Sequence, residues 1–200
     1  MSNIDYEKII NASKEAFVKW KDEGLQRRLE RFKILYKEIS QNKELITKTI
    51  TEEEGKPLNE SLLEILGILD LINFYIKNST KILKPKELKM PIKEYAAFSD
   101  PEPLGVVLII SPWNFPFETP MWGICPALIA GNVVIIKPSE YSKNTAQLLE
   151  KILLKVFPKG VITFVYGNGI VGKKLIRKGI DKIIFMGSVS SGKDVSKNAS

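Results

Sequence analysis

Gly105-Val-Val-Leu-Ile-Ile110, Ser111-Pro-Trp-Asn-Phe-Pro116, a helix-like run, and Asn132-Val-Val-Ile-Ile-Lys137-Pro-Ser-Glu140 form the stretch that decides the fold. Two Val/Ile runs are apolar at consecutive positions, the pattern of strands covered on both faces. Each is followed at once by a polar, proline-marked turn. The intervening segment, 116–131, is long enough for a crossover helix, so the unit reads β-α-β and the strands are expected to be parallel.

The pattern repeats downstream. Residues 145–157 carry Leu148, Leu149, Ile152 and Val156 at helical spacing, and Pro158-Lys159-Gly160 stops the helix. A third apolar run, 161–166, leads into Gly167-Asn168-Gly169, and after a short helix a fourth, 182–186, leads into Gly187-Ser188. Strand C-termini in a right-handed parallel sheet share one edge, and ligands of open α/β sheets bind there. Four polar or glycine-bearing turns on one edge predict a nucleotide-sized ligand carrying phosphate. The fold class expected is α/β, a parallel sheet of Rossmann-like type behind an N-terminal helical segment.

Upstream, amphipathic helices are expected over 5–20, 25–39, 42–54 and 58–75. Asn42 is placed to cap the third, and Gly55-Lys56-Pro57 ends it. From residue 78 the character changes. Prolines at 85, 91, 101 and 103 argue against helix and for loop with short exposed strands. The organisation expected is a helical segment (1–78) packed on the core, a proline-rich connector or oligomerisation arm (79–103), and a βαβ core (104–200).

Composition excludes several chemistries. The formal charge is +7, from 30 Lys and Arg against 23 Asp and Glu, but the lysines are scattered beside acids, with no arginine cluster or aromatic-basic motif. Nucleic acid is therefore not the expected partner. There is no histidine and a single cysteine, Cys125. That rules out an internal disulfide, a Cys/His zinc site and a histidine-based triad, and no metal is expected. No apolar run reaches the length of a membrane span, and the first residues are too acidic and polar for a signal peptide, so a cytoplasmic protein is expected.

Several residues can carry chemistry. Asn114, flanked by Pro112 and Pro116, can donate to a developing oxyanion or can close its own turn. Lys137 and Glu140 can hold ribose hydroxyls or form a surface ion pair; a carboxylate there would repel a 2′-phosphate, which favours NAD over NADP. Gly167 and Gly169 admit close backbone approach. Ser188 can cap the last helix or hold phosphate. Cys125, inside the crossover helix with no activating charge beside it, reads as a core residue.

These motifs together resemble the N-terminal, cofactor-binding part of the aldehyde dehydrogenase superfamily. Pro112-Trp-Asn-Phe-Pro116, Pro126-Ala-Leu with Ala130-Gly-Asn132, Lys137-Pro-Ser-Glu140, Phe185-Met-Gly-Ser188 and Gly55-Lys-Pro57 carry the resemblance over nearly the whole chain. It implies NAD, with NADP possible, and cofactor contacts from Ser111, Pro112, Trp113, Lys137, Ser139, Glu140, Gly169, Gly187 and Ser188. Lys137 and Glu140 would hold the adenosine ribose, Gly169 the adenine side, and Gly187 and Ser188 the pyrophosphate and nicotinamide region. Asn114 would stabilise the oxyanion formed when a thiolate adds to an aldehyde.

Three departures stand out. Met186 replaces the family's threonine, and the 167–172 glycine turn is one residue short. The family's general-base glutamate and nucleophilic cysteine motifs do not occur up to Ser200. The expectation is an aldehyde dehydrogenase cofactor portion that is inactive alone. An aldehyde substrate would be met only once a C-terminal part completes the chain; the protein partners expected are a separate C-terminal subunit or, as a homo-oligomer, further copies of this chain. The alternatives are a non-catalytic nucleotide-binding or interaction module, or a decayed gene product.

Overall fold

The computed structural model describes residues 4–91 and 95–199. Ile92, Lys93 and Glu94 of the proline-marked stretch, and Ser200, lie outside them. The chain opens with four helices, α1 (Tyr6–Asp22), α2 (Gly24–Gln41), α3 (Lys43–Glu54) and α4 (Leu58–Ile82), followed by two short strands, β1 (Lys86–Leu88) and β2 (Ala97–Ser99). The alternating part then runs β3 (Val106–Ile110), α5 (Glu118–Ile129), β4 (Val133–Lys137), α6 (Lys143–Val156), β5 (Ile162–Phe164), α7 (Gly169–Ile176), β6 (Lys182–Phe185) and α8 (Val189–Ala199).

The main sheet is parallel with order β5-β4-β3-β6. Every residue of β4 and the first four of β3 are buried. Successive side chains point to opposite faces, so both faces of the central pair are covered. The chain steps outward from β3 to β4 to β5, then returns to pair β6 on the other side of β3. That reversal is a topological switch point, and Ile110 lies in register with both Lys137 and Phe185 there.

The helical front is sewn to the sheet by apolar packing and by buried hydrogen bonds. Trp20 and Phe32 both meet the Phe157 ring edge-on, at centroid separations of 5.8 and 5.9 Å. The Trp20 indole donates to the Leu128 carbonyl at 3.2 Å, and Arg28 Nε donates to Ile129 O at 3.1 Å. Both carbonyls lie in the last turn of α5; Leu128 O takes the indole beside the Gly131 N–H (3.0 Å). Asn132 joins the same helix end to β3: its Oδ1 accepts from Leu104 N (2.7 Å) and Gly105 N (3.0 Å), and its Nδ2 donates to Ala127 O (3.1 Å).

Two details depart from the sequence reading. Helix α4 continues through residues 76–82, so the first four residues of the expected connector are helical; Ser79 is buried and donates to the Tyr75 carbonyl at 2.6 Å. The first proline in that stretch is Pro85, and nothing before it breaks the helix. Asn42 does stand at the start of α3, but its side chain turns back and donates to Glu38 O at 2.7 Å. One residue separates α2 from α3, and the Glu38 carbonyl accepts both the side chain and the backbone N–H (3.1 Å) of Asn42. The connector holds β1 and β2 as an exposed antiparallel pair.

Asn132→Ala strands the buried Gly105 N–H, and the Leu104 N–H beside it, just before β3. It is expected to lower unfolding free energy by roughly 1–3 kcal/mol in urea denaturation. A loss below about 0.5 kcal/mol, the range of ordinary surface changes, would show that the Asn132 clasp is not a fold determinant.

Candidate functional site

Four helices begin at the C-terminal edge of the sheet, and each beginning concentrates unpaired N–H groups and positive dipole. Two are already filled by carboxylates from the helical front. Glu53 accepts from Asn144 N (2.6 Å) and Thr145 N (2.8 Å) at the start of α6. Glu64, whose side chain is fully buried, accepts from Phe117 N (3.3 Å) and Glu118 N (3.2 Å) at the start of α5. Its other oxygen pairs with Lys56 Nζ at 2.5 Å. The remaining two helices carry neutral caps. Asn168 Oδ1 accepts from Ile170 N (3.1 Å) at α7, and Ser188 Oγ accepts from Ser191 N (3.3 Å) at α8. Helix starts free of a protein carboxylate therefore remain at the α7 and α8 side of the edge.

A cleft of about 470 Å³ opens on that side. Ile110, Lys137 and Phe185, the ends of three adjacent strands, form its floor with Glu140. Helix α7 gives one wall through Gly169, Gly172, Lys173 and Ile176, and α8 gives the other through Ser190, Ser191, Asp194 and Val195. A side chain at Gly169 would meet no atom within 4 Å, so at that position the α7 wall is bare backbone beside open space. Gly187 is glycine for contact, since a Cβ there would come 2.7 Å from the Phe185 ring.

Lys137 is buried and its Nζ lies 3.1 Å from Glu140 Oε2. Burial pushes the Glu140 carboxyl up, but its own backbone N–H and the Lys137 ammonium outweigh that and hold it below the usual glutamate range. It stays ionised at neutral pH, an acceptor ready for hydroxyls. Lys173 and Asp194 form a second ion pair, at 3.0 Å, between the two walls.

The other expected residues divide by position. Ser111 is buried and its N–H donates to Lys137 O at 3.3 Å, extending the β3–β4 pairing past the strand end. Ser139 is buried and its hydroxyl accepts from Tyr141 N at 3.2 Å, so it builds the turn that presents Glu140. Trp113 and Asn114 are exposed and stand outside the cleft, as does half-buried Pro112. The Asn114 carbonyl accepts from Lys56 Nζ at 2.7 Å, and that ammonium also lies 4.5 Å from the Phe115 ring centroid. Among the described residues the Asn114 carboxamide has no protein partner, so it does not close its own turn. Cys125 is fully buried, and desolvation pushes its thiol far above the range in which a thiolate forms. No group of three or more His, Cys, Asp or Glu among the described residues is placed to hold a metal ion. No helix among them is long and apolar enough to cross a membrane.

Comparison with known proteins now bears on this arrangement. The model of the aldehyde dehydrogenase family matches residues 1–200. The chain belongs to that family. It is 32% identical to a D-glyceraldehyde dehydrogenase (NADP(+)) of Thermoplasma acidophilum, over 98% of this chain and 40% of that protein. It is also 32% identical to a 4,4′-diapolycopene aldehyde oxidase of Methylomonas, over 95% of this chain and 37% of the relative. Among solved structures, betaine aldehyde dehydrogenase of Staphylococcus aureus in complex with NAD+ superposes with a TM-score of 0.90 at 30% identity, over 98% of this chain and 40% of that one. Lactaldehyde dehydrogenase of Escherichia coli does so with 0.90 at 29% identity, covering 98% and 41%. This aldehyde dehydrogenase family chain thus spans about 40% of the length of the relatives it matches.

The sequence reading missed the α8 wall and most of the α7 wall. Gly172 and Lys173 follow Gly169 within one helical turn, and Ser190, Ser191 and Asp194 share a face of α8 by i, i+3 and i+4 spacing. The periodicity is legible, but which face looks into the cleft is not.

Glu54, at the end of α3, gives this edge a pH dependence. Its Oε1 is buried without a hydrogen-bond partner. Burial, then Glu53 and Glu64, outweigh Lys56 and raise its pKa from 4.5 to about 7. With the folded value above the unfolded one, its contribution favours folding fully below pH 4.5 and is lost as pH rises through about 7. Glu54→Gln is expected to raise the melting temperature at pH 8 and to leave it unchanged at pH 4. Equal shifts at both pH values would mean the carboxyl does not titrate in this window.

Proposed function

We propose that this chain is the cofactor-binding portion of an NAD(P)-dependent aldehyde dehydrogenase, which oxidises an aldehyde to a carboxylic acid, and that it takes NAD. The cleft at the switch point carries the proposal: an ionised carboxylate, a bare glycine wall and two neutral-capped helix starts meet in one place. Those residues fit a dinucleotide. Glu140, oriented by Lys137, would accept from ribose hydroxyls, and Gly169 and Gly172 would let adenine approach the α7 backbone. Gly187 and Ser188 would lie towards the pyrophosphate. The bound nicotinamide supplies the hydride acceptor.

This chain's own contribution to the reaction is placement. The Asn114 carboxamide, on a turn pinned through its backbone by Lys56, would donate to the oxyanion formed on an aldehyde carbonyl. Cys125 is the sole cysteine and is sealed in the core, so the thiolate nucleophile has to come from outside these residues. The chain alone would then bind cofactor without turnover, and substrate would be met only with a C-terminal part, on the same chain or a separate one. A non-catalytic nucleotide-binding module is the second reading, favoured by the same intact cleft beside an inert cysteine.

Two measurements test this. Equilibrium dialysis against NAD+ is expected to show saturable binding, and no retained NAD+ would remove the cofactor reading. Incubation of the purified chain with NAD+ and an aldehyde panel is expected to give no NADH above the uncatalysed rate. NADH formation at any enzyme-dependent rate would refute inactivity of the isolated chain.

A further inference from the structure

The Lys173–Asp194 pair has no part in the reading above, and it stands in the walls of the same cleft. We infer that Asp194, a carboxylate held beside Lys173, makes this cleft select an adenosine with free ribose hydroxyls and turn a 2′-phosphate away. The inference rests on the proposal that the cleft takes a dinucleotide.

The cleft is lined by two cations and two anions, and each cation has a carboxylate on it: Lys137 with Glu140 at 3.1 Å and Lys173 with Asp194 at 3.0 Å. A 2′-phosphate is a dianion near neutral pH and needs a cation of its own. Arg177, the next basic residue on that side of α7, is engaged by Asn198 Oδ1 at 2.6 and 3.2 Å. No lining cation is left over. The Lys173–Asp194 pair is half exposed, at 51% and 43% of the side chains, so breaking it costs little. What excludes the phosphate is the charge that remains after Lys173 changes partner. Asp194 cannot readily swing away, because Asn198 Nδ2 donates to its Oδ1 at 3.3 Å and Arg177 fixes Asn198 in turn. A phosphate on Lys173 would therefore lie against a fixed carboxylate. A neutral diol meets no such penalty and can use Glu140 as acceptor.

Isothermal titration with AMP and with adenosine 2′,5′-bisphosphate isolates the effect, since the two ligands differ only in the 2′-phosphate. The wild-type chain is expected to bind AMP more tightly. Asp194→Asn, which keeps the size and frees Lys173, is expected to narrow the ratio at least fivefold by tightening the bisphosphate. Adding Lys173→Gln to that variant should abolish the gain, and raising the salt should shrink it. Melting temperatures near wild type confirm that these surface changes leave the fold intact. AMP binding with a ratio unchanged within twofold in Asp194→Asn overturns the inference and leaves the cofactor reading standing. A wild-type preference for the bisphosphate also overturns it. If the wild type binds neither nucleotide, the inference and the cofactor reading fall together.

Discussion

Two carboxylates from the helical front govern the working edge of this sheet. Glu53 and Glu64 reach from α3 and α4 to the starts of α6 and α5, where they accept from backbone N–H groups that a ligand phosphate would otherwise use. They lock the front onto the edge, because a charge-assisted hydrogen bond to a helix start is strong and directional. They also leave α7 and α8 as the helix starts on that edge with no protein charge upon them. The Glu64–Lys56 pair is nearly dry, with 0% and 14% of the side chains exposed. Losing either partner would leave an uncompensated buried charge, at a cost on the order of 3–5 kcal/mol.

Lys56 extends this constraint to the Pro112–Pro116 turn. One ammonium neutralises Glu64, lies over the aromatic face of Phe115 and donates to the Asn114 carbonyl. The exposed Asn114 carboxamide is thus aimed through its backbone, while its side chain is left free of protein partners. Charge is concentrated here, and the carboxyls of Glu54 and Glu118 are both raised above the usual glutamate range, chiefly by burial. The same crowding that orders the turn makes this edge sensitive to pH.

The sheet explains why the cleft lies where it does. β6 returns to the far side of β3, so α8, after β6, and α7, after β5, stand as two walls over the ends of β4, β3 and β6. The ends of three strands then supply a floor of mixed character, with Ile110 and Phe185 apolar and Lys137 charged. An aromatic base, a ribose and a charged linkage suit such a floor and its glycine-bearing wall. Cys125 is excluded from any chemistry by the same packing, being buried in the helix that joins β3 to β4.

Much of this was written in the residues themselves. The Val/Ile runs at 106–110 and 133–137 announced strands covered on both faces, and the polar residues after them announced turns, because local periodicity and turn chemistry depend on neighbours in sequence. Lys137 and Glu140 were legible for the same reason: three residues apart across one tight turn, they had to meet. The reach of α4 to Ile82 was not, since Tyr75 to Leu83 carries neither a stop signal nor strong periodicity. Nor were the roles of Glu53 and Glu64, whose partners lie 91 and 53 positions further along the chain. The pairing of Lys173 with Asp194 likewise needed α7 and α8 side by side. Sequence determined the strands, the turns and the family. Tertiary structure decided which helix starts stay open and which charges are already matched, because both depend on partners far away along the chain.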